Sequence, residues 1–277
     1  MNSQEFAHLF DKHPILNQLE NEVLAGKTRI GIQNCIGSAK SITLAYLLKN
    51  SQRSQLIICD DIEQAENMYS DMEVFADHNM VFLWKDSFRK SFNLTNSDNN
   101  KIQSNANVLE AISDIEHPKI VVTYPEAISE KIINQDQLKK SKLIFKVGEE
   151  IDLDFLIELL NEYHFYREDF VYEAGQFSIR GGIIDLFSYA NDLPIRLELF
   201  GRTIESIREF DPISQLSTKK LIRGTVVPNV SESVQMQDGT DILNYLGKNP
   251  IVCSIDLPKA ISKIEKGLEK IINQSTD

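Results

Sequence analysis

Cysteine is scarce in this sequence, with 3 residues among 277, at positions 35, 59 and 253. An odd number of widely spaced cysteines fits neither a disulfide framework nor the spacing of a zinc site, and it favours a reducing compartment. Long apolar runs are also missing, because no window approaches the roughly 18 apolar residues of a membrane span. The first residues lack the basic and apolar regions of a secretion signal. We therefore expect a soluble cytoplasmic protein that makes no contact with a membrane.

Basic residues are in the minority, with 29 Lys and Arg against 41 Asp and Glu and a formal net charge of −12. Such a surface repels a phosphate backbone, which disfavours autonomous tight binding of nucleic acid. The acidity is concentrated between residues 143 and 211, where fifteen acidic residues accompany six basic ones. Five of those six are arginine, although lysine outnumbers arginine in the whole chain. Arginine suits bidentate pairing and protein interfaces, so this excess points to a binding role.

The apolar pattern predicts an α/β fold with an inserted domain. Up to about residue 133, short apolar runs alternate with stretches of helical period, as in parallel βαβ units. The predicted strands of this part lie at residues 29–35, 56–59, 81–84 and 119–123. After residue 140 a helix is followed by closely spaced alternating strands, which is typical of a small antiparallel α+β domain. Beyond residue 213 the α/β texture returns, so we divide the chain into 1–140, 141–213 and 214–277.

One segment has the outline of a phosphate-binding loop, G-x-x-x-x-G-K-[ST], between a predicted strand and a predicted helix. Asn34 and Ala39 replace both defining glycines, which would set the tight turn and let backbone amides approach the phosphates. Gly37, Lys40 and Ser41 remain, but they cannot build the cradle alone. We expect an inactive loop and no bound cofactor. Residual ATP binding stays open, and the alternative is a turn kept only to open the helix.

Other candidate sites are weaker. Asp60 and Asp61 end an apolar strand, as do the magnesium-binding carboxylates of ATPases, but a helix cap and a solvated turn explain them more simply. The five histidines share no metal-ligand spacing, and no serine lies in a nucleophile elbow. We therefore predict neither a metal site nor catalytic residues.

The segments 177–187 and 194–200 depart most from an ordinary sheet. Strand alternation places Arg196, Glu198 and Phe200 on the face opposite the core, and it points Arg180 outward on a neighbouring strand. Gly181 and Gly182 then permit a bulge or a close approach. A solvated face with cross-strand ion pairs is one interpretation. The other is a protein-binding hot spot, for which arginines beside an exposed aromatic ring are typical.

These same segments resemble a known family. Residues 176–187, 194–200 and 204–211 are similar to the second domain of the nucleotide excision repair protein UvrB and, more closely, of the bacterial transcription-repair coupling factors (Mfd). The likeness continues in order through the loop at Gly37, the strand at Trp84, residues 121–125 and residues 226–228. UvrB has an intact phosphate loop and a long hairpin that grips DNA. Neither feature stands at the matching place here, which favours the coupling factors.

The resemblance implies the amino-terminal UvrB-like module of a coupling factor. Its helicase-like (RecA/P-loop-type) domain, in degenerate form, would comprise domain 1a in residues 1–140 and domain 1b in 214–277, with domain 2 in 141–213. In the family, domain 2 recruits UvrA through two arginines and a phenylalanine, matched here by Arg180, Arg196 and Phe200. Glu198 is expected to support them by orienting an arginine. RNA polymerase and double-stranded DNA would be contacted only through other regions of the full-length protein, which also hold the ATP-driven motor.

The leading hypothesis is therefore a non-catalytic adaptor that recruits UvrA in transcription-coupled nucleotide excision repair. One alternative is an ATP-dependent, UvrB-like DNA repair helicase fragment, which nucleotide-stimulated DNA binding would reveal. Another is a general interaction domain with a different partner. From its charge, we expect the chain to bind duplex DNA no better than non-specifically, at roughly 10⁻⁴ M or weaker.

Overall fold

The computed structural model describes residue 10 and residues 12–86, 105–114, 116–228 and 239–274. These residues form two compact units. The first comprises those within 1–86, 112–130 and 241–277, and the second those within 87–111 and 131–240. None of the helices that the structure describes has the length and the apolar character needed to cross a membrane.

The described strands are β1 (Gln55–Ile58), β2 (Val81–Leu83), β3 (Ile120–Thr123), β4 (Leu143–Lys146), β5 (Tyr166–Arg167), β6 (Gln176–Arg180), β7 (Ile183–Leu186), β8 (Ile195–Phe200), β9 (Thr203–Phe210), β10 (Ser217–Leu221), β11 (Arg223–Val226) and β12 (Ile251–Ser254). The α-helices with defined ends are α1 (Pro14–Leu24), α2 (Ala39–Ser51), α3 (Ile62–Phe75), α4 (Pro125–Ile128), α5 (Gln135–Ser141), α6 (Leu153–Glu162) and α7 (Leu257–Gln274). Residues 105–112 are also helical, and short 3₁₀ turns span His78–Met80 and Ile242–Leu246.

The first unit is built on a parallel sheet with the strand order β12-β1-β3-β2. Every side chain of β1 and β3 is buried, as expected for central parallel strands covered on both faces. Pairing of β12 with β1 joins residues after 250 to the amino-terminal strands. The α/β class predicted from the sequence is confirmed.

The predicted strand at residues 29–35 is wrong, because this stretch has no regular secondary structure and its side chains are largely exposed. Asn34 adopts a left-handed backbone with φ 60°. Ile32 is exposed, and Arg29, Gln33 and Asn34 leave no continuous apolar run. A strand in a parallel sheet needs apolar side chains on both faces, and this segment cannot supply them.

The second unit contains a six-stranded sheet with the order β10-β9-β8-β7-β6-β5. All its neighbours are antiparallel except β5 and β6, and a separate two-stranded ladder joins β4 to β11. Its inner face is apolar, with Phe177, Ile184 and Leu197 fully buried. The predicted antiparallel α+β unit is thereby confirmed, while the domain divisions at residues 141 and 214 stay predictions.

Two tight turns fix the register of the central strands. Gly181, at φ 59°, and Gly182 join β6 to β7, and the Leu199 amide donates to the Gly182 carbonyl at 2.7 Å. A β-carbon on Gly182 would lie 2.9 Å from the Leu199 carbonyl oxygen, so only glycine allows this close approach. Gly201, at φ 63°, turns β8 into β9 directly after Phe200.

Candidate protein-binding site

The outer face of the six-stranded sheet carries a row of polar residues in register. Ser178 of β6 pairs with Asp185 of β7, Asp185 with Arg196 of β8, and Arg196 with Arg208 of β9. Arg180 stands two residues beyond Ser178 and therefore points to the same face. The structure thus brings the two predicted arginines together around one carboxylate.

Asp185 is the centre of this arrangement and is completely buried. The Arg196 guanidinium donates through Nε to Oδ1 at 2.7 Å and through Nη2 to Oδ2 at 2.9 Å. The Arg180 Nη2 donates to the same Oδ2 at 2.6 Å. A charge taken out of water is tolerated only when it is paired and hydrogen bonded, and two arginines satisfy Asp185 here.

Arg196 is held on every side, and its side chain is only 15% exposed. Besides Asp185, it donates to the backbone carbonyl and to the side-chain oxygen of Gln215, both at 3.2 Å. Its guanidinium also lies over the Phe210 ring, 4.4 Å from the centroid. The hydrogen bonds to Asp185 raise the pKa of Arg196 above its ordinary value. Arg196 thus lies on the face opposite the core, as predicted, but this part of the face is not solvated, because a loop folds over it.

Arg180 keeps more freedom, since its side chain is 34% exposed. Its Nη1 donates to the Asp169 carbonyl at 3.1 Å, and its guanidinium stacks over Phe170 at 4.3 Å. A guanidinium carries five N–H donors in a rigid fork, so Arg180 retains donors beyond these bonds. It can offer a fixed, partly exposed positive charge to a partner.

Phe200 lies at the end of β8 and is 82% exposed, as the strand alternation predicts. Glu198 instead accepts a hydrogen bond from Ser206 and forms an ion pair with Arg208 at 3.3 Å. Glu198 therefore forms its ion pair with Arg208, rather than with Arg180 or Arg196. The outer face accordingly presents an exposed ring at one end and anchored arginines further along the strand.

The degenerate phosphate loop lies in the first unit. Gly37 adopts φ 58° in an exposed turn and Lys40 is half-buried. Ser41 is fully buried, and its hydroxyl donates to the Asp71 carboxylate at 2.9 Å. The Ser41 hydroxyl, which in an intact phosphate-binding loop would contact the magnesium ion, is thus bound to Asp71 of α3.

Asp60 and Asp61 are engaged within the first unit as well. Asp61 caps α3 by accepting from the Gln64 amide at 3.0 Å, as the helix-cap interpretation predicts. Lys259 of α7 forms an ion pair with the Asp60 carboxylate, and Lys263 donates to the Asp60 carbonyl at 2.6 Å. A lysine of this chain thus already neutralises the carboxylate that resembled a magnesium ligand.

Sequence reasoning missed Asp185 and Gln215 as parts of the site. Asp185 is the single charge inside the apolar run Ile183–Phe187, and an isolated carboxylate between arginines in a buried strand is a signal for a buried ion pair. Gln215 gives no such signal. Its role depends on a loop conformation that periodicity does not determine.

Comparison with known proteins shows that one part of the chain, which contains this site, is similar to a described domain family. Residues 143–231 match the UvrB interaction domain. The chain is 28% identical over 210 residues to a transcription-repair-coupling factor of Bacillus subtilis, covering 76% of this chain and 17% of the relative. It is 26% identical over 263 residues to UvrABC system protein B of Methanococcoides burtonii, covering 91% and 36%. The resemblance predicted from the sequence is confirmed.

A third relative, UvrABC system protein B of Xanthomonas axonopodis, is 29% identical over 219 residues and has 32% of its length covered. The chain therefore spans about a third or less of each of these relatives. Asp185 with Arg180 and Arg196, which we call the two-arginine site, lies wholly inside residues 143–231, the part that matches the interaction domain.

Proposed function

We propose that this chain is a UvrA-binding adaptor module of a transcription-repair coupling factor and that it acts in transcription-coupled nucleotide excision repair. The observation that carries the proposal is the outer face of the second unit. There, Phe200 is exposed, and Arg180 and Arg196 grip the buried Asp185 carboxylate in an arrangement that we call the clamp. Both features lie in a segment that matches the UvrB interaction domain. Relatives of this chain are named as a coupling factor and as UvrABC proteins.

The chemistry of the face suits a protein partner. An exposed phenylalanine loses contact with water only when another surface covers it, and aromatic rings beside arginine are frequent hot spots of binding. The clamp on Asp185 holds Arg180 in one orientation before binding, which lowers the entropy that association would cost. A UvrA surface with an apolar pocket near acidic or carbonyl groups would fit this pattern.

We further propose that the chain itself is not an enzyme. Asn34 and Ala39 stand where a phosphate loop needs glycine, Ser41 is bound to Asp71, and Asp60 is paired with Lys259. These contacts favour a structural role for the degenerate loop. Contacts with RNA polymerase and double-stranded DNA, and ATP-driven translocation, would belong to other regions of a full-length coupling factor.

The test is calorimetry of the purified chain with purified UvrA, without DNA or nucleotide. We expect binding, and we expect Phe200→Ala to weaken it by roughly 2 kcal/mol or more. Phe155 provides the matched control, because it is 63% exposed on α6 rather than on the sheet, and Phe155→Ala should bind as the parent does. Absence of binding would refute the adaptor. Nucleotide-stimulated DNA binding would instead support the UvrB-like helicase alternative.

A further inference from the structure

The loop that covers Arg196 has an unusual construction. Residues 211–216 connect β9 to β10 and are closed by internal bonds: the Asp211 amide donates to the Leu216 carbonyl at 2.9 Å, and the Gln215 amide donates to the Asp211 carbonyl at 2.8 Å. The Asp211 carboxylate also accepts from the Ser214 amide at 2.7 Å. The loop is therefore a compact turn fixed by its own backbone.

Gln215 ties this loop to the clamp. Its backbone adopts the left-handed region at φ 60°, which a residue with a side chain holds only when its surroundings enforce it. Both oxygens of Gln215 accept from Arg196, while Nε2 donates to the Val171 carbonyl at 3.2 Å and to the Pro212 carbonyl at 2.7 Å. Arg196 thus fixes the position of the loop and, through Gln215, joins it to the segment around Val171.

Both segments joined in this way carry exposed apolar side chains. Ile213 is 87% exposed and Leu216 is 69% exposed, on either side of Gln215. Phe170 and Tyr172, on either side of Val171, are 46% and 54% exposed. We call these four residues the apolar rim. A single exposed apolar residue is ordinary, but four on two segments fixed to each other are typical of a surface that a partner covers.

We propose that the apolar rim is a second contact surface for UvrA, so that the partner covers the outer face from Phe200 through the arginines to residues 211–216. This inference rests on the proposed function. The choice of UvrA rests on continuity, because Arg180 stacks on Phe170 of the rim and Arg196 holds Gln215, the residue next to Leu216 of the rim. In this arrangement Arg196 is a positioning residue for the rim, and Arg180 and Phe200 are contact residues.

The partner chemistry is an apolar UvrA surface beside acidic groups. Two chains of this protein pairing through the same rim would bring Arg180 of each into the same interface, and like charges placed together oppose association. UvrA is therefore favoured over a second copy as the occupant.

The experiment is calorimetric titration of UvrA with the full chain and three variants: Phe200→Ala, the double variant Ile213→Ser with Leu216→Ser, and Ile222→Ser. Ile222 is the matched control, since it is 88% exposed but follows the opposite end of β10 from Leu216. We expect the double variant to bind roughly tenfold or more weakly, as loss of apolar hot spots does. The control should bind within about twofold of the parent, as neutral positions do.

The outcomes separate the two proposals. If the parent chain does not bind UvrA, the proposed function and this inference both fail. If Phe200→Ala weakens binding and the double variant binds normally, only the rim is refuted and the adaptor stands. Sedimentation of the same samples tests whether a second copy of this chain occupies the rim instead. If the parent forms a dimer, and the double variant abolishes the dimer but leaves UvrA binding unchanged, the rim is the contact between two copies.

Discussion

The guanidinium of Arg196 and the buried carboxylate of Asp185 form a bidentate ion pair, with nitrogen to oxygen distances of 2.7 and 2.9 Å. The pair links two adjacent strands side by side, because Asp185 and Arg196 are direct partners in the β7 and β8 register. Its energy therefore bears on the folding of the unit as well as on any surface it presents.

Arg196→Ala should lower the free energy of unfolding by about 3 kcal/mol, because removing one partner leaves a buried carboxylate with less compensation. Arg208 is the control, since it lies directly opposite Arg196 on β9 but is 41% exposed. Arg208→Ala should cost under about 1 kcal/mol, as partly exposed ion pairs do. Urea unfolding at constant m-value measures both. Equal small losses would show that the clamp contributes little to stability.

Apart from the wrong strand at residues 29–35, the apolar pattern located the strands of the parallel sheet and the face that β8 residues take, but it did not predict what covers a face. Alternation correctly placed Phe200 on the outer face, where it is exposed. It also assigned Arg196 to the outer face, yet Gln215 and the loop around it enclose that side chain. Such loop conformations depend on long-range contacts, which a local pattern does not contain.

Phe210 and Phe200 allow the effect of burial on stability to be compared between two phenylalanines of the same sheet. Phe210 is fully buried beneath the Arg196 guanidinium, whereas Phe200 is 82% exposed. Phe210→Ala should therefore destabilise the protein by roughly 3–5 kcal/mol, and Phe200→Ala should stay within about 0.5 kcal/mol of the parent. Thermal or urea unfolding of the two variants side by side decides this. A large loss for Phe200→Ala would mean that the ring belongs to the core.

Cysteine reactivity should separate Cys35 from Cys59. Cys35 is half-buried, whereas Cys59 is buried at the end of β1, and its burial raises the pKa of the thiol to about 12. Burial therefore leaves very little of the Cys59 thiol as the reactive thiolate at pH 8. We expect a disulfide reagent such as DTNB to modify Cys35 first and Cys59 only on unfolding.

The same shift has a pH consequence. The folded state holds the Cys59 proton more tightly than the unfolded state, whose thiol has a pKa of about 8.5. Its contribution to stability is therefore complete below that pH and declines as the pH rises towards 12. Cys59→Ser should flatten the alkaline loss of stability. An unchanged slope in the variant, or rapid labelling of Cys59 in the folded protein, would count against this account.

Nucleotide should not stabilise the chain. Saturating ATP with magnesium at a hundredfold excess over its Kd would add about 2.7 kcal/mol and raise the melting temperature by several degrees. We expect no rise, because Ser41 is bound to Asp71 and Asp60 is paired with Lys259.

For the same reason, restoring both glycines in the variant Asn34→Gly with Ala39→Gly should not create a thermal response to ATP. Lys40→Ala serves as the control, and its melting curve should likewise be identical with and without ATP. A stabilisation of the parent that Lys40→Ala abolishes would show that the degenerate loop still binds nucleotide.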